Sequence, residues 1–111
     1  MALRIFTNDP GALLESLRKG IDQGSVDTWS YDADGDFTHT PDQWRDQAWL
    51  RPSVQEGTLS FGLIGRDNVP MTPALYAIYH ARFTEMLLCH FDREFTAITT
   101  TAAGDAIDIF N

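Results

Sequence analysis

The sequence predicts an α+β fold: an antiparallel, meander-like sheet packed by two main helices in a two-layer sandwich, loosely ferredoxin-like. Three observations carry this. Asp9-Pro10 and Thr72-Pro73 each place a capping residue before a proline suited to the first helical position, and an apolar helical face follows. Short β-branched and aromatic runs are separated by turn pairs, among them Asp34-Gly35, Glu56-Gly57 and Gly104-Asp105. The 111 residues suit a single α+β domain, 1–111, with no linker or low-complexity tract to divide them.

Leu3 to Thr7 reads as a short strand. The first helix starts at Pro10, and Leu13, Leu14, Leu17 and Ile21 share an arc of about 100° on it. It should end near Gly20 or Gly24, where glycine tolerates the left-handed terminal residue.

Residues 26–40 form a hairpin whose loop length sets its register. A two-residue Asp34-Gly35 loop would pair Tyr31 with Thr38 and split the aromatics between faces. A three-residue Ala33-Asp34-Gly35 loop, with Gly35 left-handed in a bulge, pairs Tyr31 with Phe37 and Trp29 with His39. The second gathers every aromatic on one side and is the predicted register.

Thr40-Pro41-Asp42-Gln43 matches a capping box and predicts a short helix through Trp44. Ala48–Val54 and Thr58–Gly65 make a second hairpin around Glu56-Gly57, with Leu59, Phe61 and Leu63 alternating against Ser60 and Gly62. A loop from Arg66 to Met71 leads into the longest helix, from Thr72-Pro73 to about Phe91. Phe95–Ala102 and Ala106–Phe110 are expected to close as a third hairpin.

Sixteen acids against eight Lys and Arg leave a formal charge of −8, and nine of the acids lie in the first fifty residues. Phosphate backbones are bound by clustered bases, whereas this chain has a single lysine, Lys19, and scattered arginines. Nucleic acid and anionic membranes are therefore excluded as expected partners. No apolar run approaches the ~20 residues of a membrane span. The N-terminal residues lack the basic and long apolar regions of a signal peptide. One cysteine, Cys89, cannot pair within the chain, which points to the cytoplasm.

Motifs for chemistry are sparse. Asp32-Ala33-Asp34-Gly35-Asp36 suggests a calcium loop, but an EF-hand needs glycine at position six and glutamate at twelve. Here Gly35 falls at position four and Gln43 at twelve, so the segment reads as a turn. His80 and His90 lie ten residues and ~15 Å apart along a helix, too far to share an ion. No metal or cofactor is expected. Cys89 reads as a structural thiol, and no catalytic residue stands out.

What remains is aromatic density and one helix face. Trp29, Tyr31, His39, Tyr76 and His80 are the candidate ligand-binding residues, since these side chains join an apolar body to a polar tip. On the long helix, Leu75, Tyr79, Phe83 and Leu87 mark a face wide enough to cover the sheet. A second stripe, Ala74, Ala77, Ala81, Thr84 and Leu88, with Arg82 and Glu85 as its only charged members, is either covered by the first helix or left as an interface.

The functional expectation is a small acidic, non-enzymatic binding protein, cytoplasmic and homodimeric through Ala74, Ala77, Ala81 and Leu88. Its charge also suits a basic protein partner; likeness to immunity-type proteins is one of size and charge only. The alternative is a small-molecule-binding domain or minor enzyme with a pocket between helix 72–91 and the sheet.

Overall fold

The computed structural model describes residues 2–102 and 104–110. In chain order the elements are β1 (Ala2–Phe6), α1 (Pro10–Asp22), β2 (Trp29–Tyr31), β3 (Phe37–His39), β4 (Ala48–Gln55), β5 (Thr58–Gly65), α2 (Pro73–Phe91) and β6 (Ala97–Thr100). All six strands join one sheet in the order β2-β3-β4-β5-β1-β6, with antiparallel neighbours throughout.

The sheet is a meander from β2 to β5, after which β1 and β6 complete it. The inner order β4-β5-β1-β6, with α1 and α2 as the crossovers, is the connectivity of a ferredoxin-like fold. The β2–β3 hairpin extends the sheet beyond β4 and leaves that inner unit intact.

Both helices start as their caps dictate. The Asp9 carboxylate accepts from the Ala12 N–H at 3.0 Å, and the Thr72 hydroxyl from the Leu75 N–H at 3.2 Å. Helix α1 stops at Asp22, and Gly24 follows in the left-handed region at φ 79°.

The apolar face of each helix lies on the same core. Leu13, Leu14 and Leu17 of α1 and Leu75, Tyr79, Phe83 and Leu87 of α2 meet Leu3, Ile5, Leu50, Leu59, Phe61 and Leu63 of the sheet. Aromatic rings meet edge to face at its centre, Phe61 with Phe83 at 4.7 Å and Phe37 with Phe61 at 5.7 Å. Each such pair adds ~0.5–1.5 kcal/mol to the burial it accompanies.

The first hairpin has the expected register: Trp29 pairs with His39 and Tyr31 with Phe37. Gly35 sits at φ 84°, and its N–H donates to the Asp32 carbonyl, which closes the three-residue loop.

Three expectations are corrected. Residues 41–46 form a hydrogen-bonded turn in place of a short helix. Asp46 at φ 57° ends it, and the Thr40 hydroxyl donates to the Asp27 carbonyl at 3.4 Å.

The third hairpin does not form either. Strand β6 pairs with β1, while Ile109 makes a parallel bridge to Ile64 at the end of β5. The Asp108 carboxylate draws the tail there by accepting from the Leu63 N–H at 2.8 Å. Gly62 and Gly65 leave it room: a Cβ on Gly62 would lie 2.2 Å from the Ile107 oxygen.

Cys89 is exposed and packs into no core, because its position on α2 faces away from the sheet. No helix among the described residues is long and apolar enough to cross a membrane.

Candidate functional site

The first candidate lies where β2 and β3 run beneath α2. Their pairing sets the His39 imidazole on the Trp29 indole, with centroids 4.5 Å apart and planes tilted by 30°. Tyr79 and Phe83 of α2 meet the same indole edge-on at 5.7 and 4.9 Å. His39 is thereby 95 % enclosed, with a relative exposure of 5 %.

His39 Nδ1 lies 2.8 Å from the Thr28 carbonyl. A carbonyl only accepts, so Nδ1 carries the proton and neutral His39 keeps its lone pair on Nε2. Burial pushes the imidazole below its ordinary value; the Thr28 carbonyl opposes this, Arg82 adds to it and Glu85 offsets it.

His39 forms part of a cleft of about 320 Å³ with Thr28, Pro41, Gln43, Trp44, Arg82 and Glu85. Its rim is held by the Tyr79 hydroxyl, which donates to the Trp44 carbonyl and meets the Thr38 hydroxyl at 3.0 Å. A fixed neutral imidazole beside a guanidinium and a carboxylate is able to accept a proton or hydrogen-bond a small polar ligand.

The five sequence candidates do not converge. Trp29 and His39 stack together within the core. Tyr31 lies at the end of α1, donating to the Asp22 carboxylate at 2.7 Å beneath the Arg18 guanidinium. That hydrogen bond raises the Tyr31 phenol above its ordinary value. Tyr76 reaches the Ala102 carbonyl at 3.4 Å, and His80 Nδ1 lies 2.7 Å from the Tyr76 carbonyl one turn back. Between α2 and the sheet, where a shared pocket was expected, Tyr79, Phe83, Phe37 and Trp29 fill the space.

The second candidate is the outer face of α2. Helix α1 lies against β2, β4 and β5 and approaches α2 near its C-terminus, where Gly20 meets Phe91. Ala74, Ala77 and Ala81 are consequently exposed, and Leu88 is 54 % exposed. Beside them a groove of about 420 Å³ runs between α2 and β6, lined by Ala77, His80, Ala81, Thr84 and Thr100. Sequence reasoning named the stripe but missed Thr100, because nothing local marks β6 as the neighbour of α2.

The acidic turn is occupied by its own backbone. Carboxylate oxygens of Asp32, Asp34 and Asp36 lie within 4.8 Å of one another. Asp32 Oδ1 accepts from the N–H groups of Asp34 and Asp36 at 3.0 Å, and Asp36 takes both hydrogen bonds of a fork from Arg51. These are the bonds of a turn.

No family model, curated protein or solved structure matches this chain.

Proposed function

We propose that this chain is a protein-interaction module that works through its surface and catalyses no reaction. One observation carries the reading: the helix–sheet layer is closed by aromatic packing, while a mainly apolar face of α2, its charges limited to the paired Arg82 and Glu85, stays uncovered beside the edge strand β6. Uncovered apolar faces on small proteins are characteristic docking surfaces. A cytoplasmic setting accords with it, since the lone thiol of Cys89 is exposed.

The heterologous partner best suited to the charge is a basic protein. Asp22, Asp27, Asp32, Asp34, Asp42 and Asp46 are all exposed around the β2–β3 edge, with Arg45 as the only base between residues 22 and 46.

A second reading is favoured by one specific feature, the neutral His39 imidazole in its polar cleft. It makes the protein a small-molecule binder or minor enzyme. A thermal-shift screen against a metabolite library separates the two. The interaction reading expects no compound to raise the melting temperature. A compound that does, and loses its effect on Arg82→Ala, overturns that reading in favour of the cleft.

A further inference from the structure

We propose that the α2–β6 face is covered by a second copy of this chain, about a two-fold axis that joins the two β6 edges and sets the α2 helices antiparallel. The proposal rests on the reading of this face as a docking surface, and it names the occupant. Strand edge, helix seam and charge each argue for a copy.

At the strand, the Thr101 N–H donates to the Ala2 carbonyl, and Ala97 pairs with Phe6 and Thr99 with Arg4. Antiparallel ladders alternate, so Ala97 and Thr99 direct their backbone groups to β1 while Ile98 and Thr100 direct theirs to the open side. Two outward residues spaced by two form a self-complementary set. Ile98 of one copy pairs with Thr100 of the other, and the symmetric pair follows. Ile98 and Thr100 stand opposite Ile5 and Leu3, which face the helices, so the joined sheet keeps its inner face continuous.

On α2, residues 74, 77, 81, 84 and 88 repeat at spacings of three and four, the pattern of a coiled-coil seam. The seam is asymmetric, with alanines at its start and Leu88 at its end. A parallel crossing would stack leucine on leucine and leave alanine facing alanine. An antiparallel crossing lays Leu88 of each copy over the alanine end of the other, where the 420 Å³ groove opens. The strand pairing imposes the same antiparallel sense.

Charge selects the edge. The chain carries −8, and its exposed aspartates are concentrated at β2–β3, the opposite end of the sheet order from β6. Residues 74, 77, 81, 84 and 88 and strand β6 carry no charge, and the exposed Arg82 and Glu85 beside them on α2 form an ion pair at 3.4 Å. Joining two copies at β6 keeps the acidic edges farthest apart, beyond the ~8 Å over which salt screens surface charge. A seam of about 21 Å and a four-residue strand lie near the lower bound for specific interfaces, roughly 1,000–1,200 Å² in total. Interfaces at this end of the size range include the transient ones, so the association is expected to be reversible.

Sedimentation velocity from low micromolar to several hundred micromolar protein tests this. The expected result is reversible monomer–dimer exchange. Ala81→Glu and Leu88→Lys, at exposed positions, should each give a monomer with unchanged circular dichroism. Thr100→Pro should do the same from the strand side, since it removes an outward N–H and no bond to β1. In a Cys89→Ser background, Ala77→Cys combined with Leu88→Cys should cross-link efficiently, and Leu88→Cys alone should not. A dimer that survives both Ala81→Glu and Thr100→Pro, or cross-links through Leu88→Cys alone, overturns the proposal. A wild type monomeric at every concentration also overturns it, whereas the docking reading itself stands or falls by the metabolite screen.

Discussion

The imidazole of His39 rests on the indole of Trp29 at 4.5 Å, paired across two strands and closed from above by Tyr79. This cross-strand stack joins the hairpin to α2, while the Thr28 carbonyl at 2.8 Å from Nδ1 fixes the tautomer of the buried histidine.

His39 should titrate below ~6.5, the value of a free imidazole. Its depression means the native state binds the proton less readily than the unfolded chain. Stability is therefore fully present above the unfolded value and falls as pH drops from there through the folded one. NMR titration of the His39 Hε1 signal, with denaturation at several pH values, checks both. A midpoint at or above the free value would count against the buried neutral state.

Tyr79→Phe should cost about 1–2 kcal/mol. The change keeps the ring that meets Trp29 but removes the hydroxyl shared by Thr38 and the Trp44 carbonyl. Chemical denaturation should show a lower midpoint with an unchanged slope. An unchanged midpoint would mean that water replaces the hydroxyl without loss.

The acidic turn should be indifferent to calcium and sensitive to its glycine. Gly35 adopts φ 84°, and a Cβ there would lie 3.1 Å from Arg18 Nη2. Gly35→Val should lower stability by at least ~1–2 kcal/mol, the cost of a left-handed L-residue. Millimolar calcium should leave the melting temperature unchanged, because Asp32 and Asp36 already serve the turn and Arg51. A clear rise with calcium would contradict this.

Gly62→Ala should detach the C-terminal segment. The new Cβ would clash with the Ile107 carbonyl, and overpacking of this kind costs about 1–3 kcal/mol. Hydrogen exchange should accelerate across 104–110 and at Leu63, whose N–H bonds Asp108, while α1 stays protected. Uniform acceleration instead would show that the tail is no separate unit.

Features whose cause lies within a few residues were legible in the chain alone. Asp9-Pro10 and Thr72-Pro73 start helices because a carboxylate or hydroxyl reaches an N–H three residues on, whatever the rest of the chain does. The Trp29–His39 register follows from loop length, the freedom of Gly35 and a two-residue side-chain period. At Thr40-Pro41 the same local signal failed, because the chain turns left-handed at Asp46 before a second helical turn forms.

Long-range packing set where Ile109 finds its partner, whether α1 covers Ala77 and Ala81, and which strand lies beside Thr84. Strands of similar β propensity pair according to the burial and buried hydrogen bonds of the whole assembly. Asp108 meeting Leu63 across forty-five residues is such a bond. The His39 cleft likewise needs Arg82 and Glu85 of α2 above a hairpin more than forty residues earlier, a juxtaposition created by packing alone.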